Sequence, residues 1–183
     1  MSENPQIQQA AKIIQSGGVI SYPTESVFGL GCDPLNEFAV NKILKLKNRA
    51  VEKGLIIVAG DLKQLKPYVE LSTEEEQKIL NEKSDTTWLV KKSELTPGWV
   101  SGNHKKVAVR VSNHPLIFQL CQIINQPLIS TSANPSGSAP AITSQQSKHY
   151  FSNNVDLYID YASKGTGQPT QIKDITTDIV IRE

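Results

Sequence analysis

Hydroxyls and cations are the reactive side chains that this sequence gathers, and four segments carry them. Tyr22-Pro-Thr-Glu-Ser-Val-Phe-Gly29 places Thr24 and Ser26 just beyond a strand that Pro23 ends. Their hydroxyls can meet a ligand there, or simply make the local bonds of an ordinary turn. Lys45-Leu-Lys-Asn-Arg-Ala-Val-Glu-Lys-Gly54 collects basic residues at a helix end and continues into a loop. The helix macrodipole accounts for Lys45 and Lys47, but Arg49 and Lys53 lie past the helix. A planar guanidinium beside a mobile ammonium suits phosphate and carboxylate oxygens. Val107-Ala-Val-Arg-Val111 sets Arg110 inside a strand-like run, where it is either an edge arginine or one aimed at a ligand. Ser130-Thr-Ser-Ala-Asn-Pro-Ser-Gly137 follows an apolar strand with small and short polar residues, a turn whose N–H groups and hydroxyls can gather round an anion. In open α/β sheets ligands bind where strands run into loops, and all four segments sit at such junctions.

Other machinery is missing. There is no G-x-x-x-x-G-K-[ST] loop, no G-x-G-x-x-G after a strand and no G-x-S-x-G elbow. Gly165-Thr-Gly167 lacks a strand–helix context. His104, His114 and His149 have no metal-ligand spacing and receive no role. Cys32 and Cys121 form no C-x-x-C pair, so two buried, reduced thiols are expected.

The elements that must position these residues follow from periodicity and capping. Pro5 to Gln15 has helical apolar spacing at Ile7, Ala10, Ala11 and Ile14, with Gly17 and Gly18 as the stop. Val19 to Tyr22 is a short strand. After a loop, Asn36 caps a helix with Ala39, Val40, Ile43 and Leu44 on its apolar face. Leu55 to Ala59 reads as a buried strand, and Ser72 with Glu75 forms a capping box before a charged helix. Thr86–Val90 and Val107–Val111 are strand-like, and Pro115 starts an apolar helix through Ile124. Leu128–Thr131, Val155–Ile159 and Ile175–Ile181 complete the strands. Ala133–Ala141, rich in Pro, Ser and Gly, is the expected mobile loop. Alternating strands and helices with uneven connections predict an α/β fold, a single domain over 1–183 with a twisted mixed sheet and flanking helices.

Across 183 residues, 38% hydrophobic and 20% charged, the composition is that of a folded domain. The 19 basic and 18 acidic side chains leave a net charge of +1, which argues against non-specific coating of nucleic acid while permitting a local basic pocket. The N-terminus lacks the apolar core of a signal peptide, and no apolar run is long enough to span a bilayer, so a cytoplasmic location is expected.

Together and in this order, the four segments resemble the YrdC/TsaC family, the threonylcarbamoyl-AMP synthases. The matching stretches are 21–31, 46–56, 107–111 and 130–137, and Gln168-Pro-Thr-Gln-Ile-Lys-Asp174 resembles the family's closing G-x-P-S-T-x-x-D segment. The resemblance runs from about Gly18 to the C-terminus. It implies a YrdC-like fold with a concave basic pocket and an enzyme that condenses L-threonine, bicarbonate and ATP into threonylcarbamoyl-adenylate and pyrophosphate. It further implies that Lys47, Arg49 and Lys53 act on the phosphates and carbamate, and that Thr24, Ser26 and Ser132 contact threonine or its carbamate. Arg49, Lys53, Thr87, Ala108, Arg110 and Asn134 would hold the nucleotide. Magnesium would accompany ATP without assigned protein ligands, and the product would pass to a separate transferase that modifies tRNA. Two departures stand out. Lys83-Ser-Asp-Thr-Thr87 replaces the family's P-G-P-x-T, adding Asp85 near the expected phosphates, and Ala50 stands where proline is common.

The alternative of another class is an RNA-binding or ribosome-maturation factor without adenylate chemistry. The near-neutral charge and the lack of an aromatic-basic stripe weigh against it and allow only weak, mostly electrostatic RNA binding. A carbamoyl-adenylate-forming domain of a hydrogenase-maturation protein is a third reading, but those chains are larger and carry additional modules.

Overall fold

The computed structural model describes residues 4–161 and 165–182. Helix α1 (Pro5–Gln15) starts where the Asn4 side chain accepts from Gln6 N–H, and strand β1 (Ile20–Pro23) follows it. Strand β2 (Phe28–Gly31) returns antiparallel to β1, with Tyr22 opposite Gly29. The sequence pattern shows only a loop here, because two glycines hide the alternation. Gly31 has a packing reason: a Cβ there would lie 2.7 Å from the Tyr22 ring and 2.8 Å from the Ile129 carbonyl. Helix α2 (Glu37–Lys47) is capped by Asn36, whose side chain accepts from Ala39 N–H, and ends on Asn48 in the left-handed region.

Strand β3 (Ile56–Ala59) leads through a short helix α3 (Leu62–Leu65) to α4 (Thr73–Asn81), which has the predicted capping box of Ser72 and Glu75. Strand β4 (Thr87–Lys91), the turn-length helix α5 (Gly98–Ser101), β5 (Lys106–Val111), α6 (Pro115–Ile124) and β6 (Leu128–Ser132) come next. Helix α7 (Ser144–Phe151) escapes apolar periodicity because only Ser147 and Phe151 are buried on it. Strand β7 (Leu157–Tyr158) then precedes β8 (Ile172–Asp174) and β9 (Val180–Arg182). The expected strand 175–181 is corrected: most of it is the turn between β8 and β9. The Asp174 carboxylate accepts from Thr176 and Thr177 N–H, and Asp178 takes φ 59° to close the turn.

Among the described residues the strands form one mixed sheet in the order β7-β1-β2-β6-β3-β5-β4-β8-β9, parallel at β1–β7, β3–β5 and β4–β8. Strand alternation divides its faces. Ile57, Trp88, Val90, Val109 and Ile129 point into the larger core under α2. Tyr22, Val58 and Leu128 point to the opposite face, where α1 and α6 cover them with Ile14, Leu116 and Leu120. On that face the helices leave one stretch of the sheet bare, and the next same-side residues along the strands (Ile56, Ala108, Arg110, Ser130 and Ser132) floor a cavity. Cys32 and Cys121 are buried free thiols, as expected. No helix among the described residues is long and apolar enough to cross a membrane.

Candidate functional site

The cavity encloses about 490 Å³. Its floor is strand: Ile56 pairs with Ala108 on one side and Ser130 on the other, so three strands bring an apolar side chain, a small one and a hydroxyl to one surface. The Thr24–Ser26 turn makes one wall. Thr24 Oγ1 donates to the Val27 carbonyl at 2.7 Å and accepts from Ser26 N–H at 3.1 Å, so the turn is closed on itself before any ligand arrives. Segment 165–167 packs over this turn, with Thr166 N–H on the Glu25 carbonyl at 3.0 Å and Gly167 N–H on the Ser26 carbonyl at 2.9 Å. Gly165 is required there, since a Cβ would come 2.3 Å from the Ser26 carbonyl oxygen. The Gly165-Thr-Gly167 segment therefore braces the turn that forms the wall and does not itself line the cavity.

Arg110 is the floor's charge, only 4% exposed. Its Nη1 donates to Thr170 Oγ1 at 3.0 Å, and its Nη2 lies 3.5 Å from the Glu25 carboxylate. The rim is more open. Arg49 donates through Nε and Nη2 to the Gly54 carbonyl at 3.2 and 2.8 Å, and Lys53 is exposed beside it. Burial lowers the Arg49 pKa. Arg182, on the edge strand β9, donates to the Thr170 carbonyl at 2.8 Å. Its pKa is lowered by burial of the guanidinium and then by the like charges of Arg49 and Arg110, so three guanidiniums face a common space. His104, Lys105 and Lys106 add to the rim, Lys106 being paired with Asp174 at 2.5 Å. A cluster of cations around a half-enclosed apolar and hydroxyl-lined space is suited to a polyanion joined to an organic body.

The sequence-selected residues divide into two groups. Thr24, Ser26, Arg49, Lys53, Ala108, Arg110 and Ser132 all line the cavity. Lys47, Thr87 and Asn134 do not line it. Lys47, at the end of α2, is only 3% exposed. Its ammonium donates to the carbonyls of Ser132 and Asn134, the latter at 2.8 Å. Burial, and next the charge of Arg49, lower its pKa to about 8. Thr87 is fully buried with its hydroxyl 3.0 Å from that of Thr170, so it reaches the cavity through Thr170. Asn134 turns its amide onto the carbonyls of Pro135 and Ser138. Segment 133–141, expected to be mobile, is tied down: Ala133 N–H donates to the Phe28 carbonyl, Phe28 N–H to Ala141, and Ser136 N–H to Lys47.

Thr170 and Arg182 were missed by sequence reasoning. Thr170 stands in the weakened closing segment, where Pro169-Thr170 was the available signal. Arg182 follows an apolar run that read as plain strand.

Known proteins resemble this chain over nearly its whole length. The family model for Sua5, YciO and YrdC proteins, described as telomere recombination, matches residues 12–183. A protein of Pseudomonas fluorescens (strain Pf0-1) named threonylcarbamoyl-AMP synthase is 45% identical over 181 residues, covering 96% of each chain. Among solved structures, P. abyssi Sua5 complexed with L-threonine superposes with a TM-score of 0.87 at 30% identity, over 93% of this chain and 51% of its own. This chain thus spans about half of that longer protein. E. coli YciO superposes with a TM-score of 0.84 at 27% identity, covering 97% of this chain and 88% of its own.

Proposed function

The chain belongs to the Sua5–YciO–YrdC family, and from that premise we propose that its cavity makes threonylcarbamoyl-AMP and pyrophosphate from L-threonine, bicarbonate and ATP. The observation that carries the reading is the division of one space into a deep, hydroxyl-lined end around Arg110 and an open, cation-rich end around Arg49, Lys53 and Arg182. A small amino acid suits the first end and a triphosphate the second.

The threonine amine adds to bicarbonate, losing water, to give a carbamate. A carbamate oxygen then attacks the α-phosphorus, and the bond to the β-phosphate oxygen breaks as pyrophosphate leaves. No protein nucleophile takes part. The enzyme's work is to hold anions together against their repulsion and to stabilise the charge that moves onto pyrophosphate. Thr24, Ser26 and Ser132 serve threonine and its carbamate, while Arg49, Lys53 and Arg182 serve the phosphates. Arg110, read from sequence as a nucleotide contact, lies deep beside the Thr24–Ser26 turn, where a guanidinium fork suits the threonine carboxylate. Ala108 offers the nucleotide a flat place on the floor. Lys47 and Asn134 shape the 132–136 loop, and Thr87 orients Thr170.

Magnesium would come with ATP. The wall supplies cations and hydroxyls, and among the described residues there is no group of three or more His, Cys, Asp or Glu side chains to hold a metal, so the ion would be carried by the ATP phosphates and no protein ligand is assigned to it. The product is a mixed anhydride, consumed by acyl transfer; a separate transferase acting on tRNA is the partner we infer. An RNA-binding role without adenylate chemistry leaves a deep cavity with a buried guanidinium unexplained. Pyrophosphate release should require ATP, threonine and bicarbonate together, and equal release without threonine would overturn the reading.

A further inference from the structure

We propose that Glu25, a residue outside the cavity wall, is a positioning residue that clips the hydroxyl-bearing turn to the strand carrying Arg110 and so sets the geometry of the amino-acid end of the site. The inference rests on the proposed function.

Glu25 stands between Thr24 and Ser26, both of which face the cavity, but its own side chain turns toward β5. One carboxylate oxygen accepts the Ser112 hydroxyl, and the other lies 3.5 Å from Arg110 Nη2. Ser112 directly follows β5 and stands two residues from Arg110, and a single carboxylate spans both. Ser112 is itself fixed: it is 1% exposed, its N–H donates to the Ala59 carbonyl at 2.8 Å and its Oγ accepts from His114 N–H at 3.1 Å. The Glu25 carbonyl accepts from Thr166 N–H at 3.0 Å, which ties in the segment leading to Thr170. Thr170 holds Arg110 from its other side at 3.0 Å. One residue therefore joins the turn, the β5 end and segment 166–170. The ion pair is long, and among the described residues neither the Glu25 oxygen nearest Arg110 nor Arg110 Nε has a hydrogen-bond partner, so the guanidinium keeps donor capacity for an incoming anion. A carboxylate so close to an anion-binding arginine competes with the ligand electrostatically. Its usefulness must then lie in the connection it makes, not in its charge.

That distinction gives the test. Glu25→Gln keeps a side chain able to bridge Ser112 and Arg110 but removes the charge; Glu25→Ala removes both. Michaelis constants for threonine and ATP are measured for each, together with calorimetric titration of L-threonine and the melting temperature. Glu25→Ala should raise the threonine constant roughly tenfold while the ATP constant stays within about twofold, the size of effect that misplacing one binding group produces. Glu25→Gln should stay within about threefold of the parent, because loss of the competing charge offsets the poorer bridge. Ser112→Ala removes one leg of the clip from outside the cavity and should raise the threonine constant a few-fold, which covers the case of an unfolded Glu25→Ala. The proposal is overturned if Gln and Ala behave alike, if both substrate constants rise together, or if none of the variants moves the threonine constant. Threonine-independent pyrophosphate release by the parent enzyme would instead sink the functional reading, and the threonine titrations would still report on the clip.

Discussion

Arg110 on the cavity floor and Lys53 on its rim carry the same charge, yet the fold treats them differently. Arg110 emerges from the middle of the sheet, is 4% exposed, and is held by Thr170 and by Glu25. Lys53 ends a single 3-10 turn after α2 and is exposed to solvent. Burying a guanidinium costs several kcal/mol unless it is paired and hydrogen-bonded, which explains why the floor is crowded with polar partners. Lys53 needs no such crowd, because water solvates its ammonium until a ligand displaces it. The floor is therefore preorganised for a small, defined group, and the rim supplies attraction to a larger and more mobile one. Charge at the rim gains from long-range steering and is screened by salt, whereas charge at the floor gains from orientation and is not.

The largest effect is expected on the rim, at Arg49. Arg49→Ala should cut turnover roughly ten- to a hundredfold, the worth of a charge-assisted contact of about 1.5–3 kcal/mol. Arg49→Lys should recover little of this, since the fork that binds Gly54 is lost with the guanidinium. Lys53→Ala, by contrast, should raise the ATP constant in a manner that diminishes with added salt. A Lys53→Ala effect that is independent of ionic strength would show that Lys53 belongs with the floor.

Lys47 tests whether a buried cation can serve without touching substrate. Lys47→Met keeps the stem but strands the Ser132 and Asn134 carbonyls, and should destabilise the protein by about 1–3 kcal/mol in denaturant unfolding while lowering activity through the 132–136 loop. The pH dependence has a fixed sign. Its pKa in the fold, about 8, lies below the lysine value of 10.5, so the folded state sheds this proton first. As pH rises from about 8, activity that depends on a charged brace should decline, while the folding stability contributed by this group should rise until the unfolded lysine also titrates. Activity that stays flat past pH 9 would assign the bracing to the uncharged amine.

How much of this was legible in the sequence depended on what each residue packs against. Helices α1, α2, α4 and α6 declared themselves through caps and apolar faces at Asn36, Ser72 and Pro115, because capping is local chemistry. Strand β2 did not, since two of its four residues are glycines, and Gly31 is small to make room for Tyr22 from the neighbouring strand. In the site, the hydroxyls and cations were recognisable by type, and their ordered spacing carried the family resemblance. Their division of labour was not recognisable. Lys47 and Lys53 are six residues apart and identical in type, yet the chain's turn after Asn48 sends one inward and the other to water. Thr170 and Arg182 meet Arg110 and Arg49 only through the pairing of β8 with β4, a long-range event that local pattern does not announce.

The smallest expected effect concerns Asp85, which replaces part of a Pro-Gly-Pro turn and adds a charge. The sequence placed it near the phosphates. In the fold its electrostatic neighbours are Glu25, Arg110 and His114, all at the amino-acid end. Burial, and next the charge of Glu25, raise its pKa, while Arg110 and His114 pull it down. The residue as a whole is exposed despite that partial desolvation, so screening should leave only a weak influence on Arg110. Asp85→Asn is therefore expected to lower the threonine constant by less than about twofold at neutral pH, with the ATP constant unchanged and the difference lost as pH falls and Asp85 takes up its proton. Replacing Lys83-Ser84-Asp85 by Pro-Gly-Pro should add rigidity worth on the order of 0.4–1 kcal/mol, offset by loss of the Ser84 bonds to Glu82 and Thr86, so stability should change little. It should not tighten ATP by more than the charge change alone, because Thr87 acts through Thr170 and not on the nucleotide. An ATP constant that falls tenfold in the Pro-Gly-Pro chain would show that this turn reaches the phosphates after all, and would move Asp85 from the floor's surroundings to the rim's.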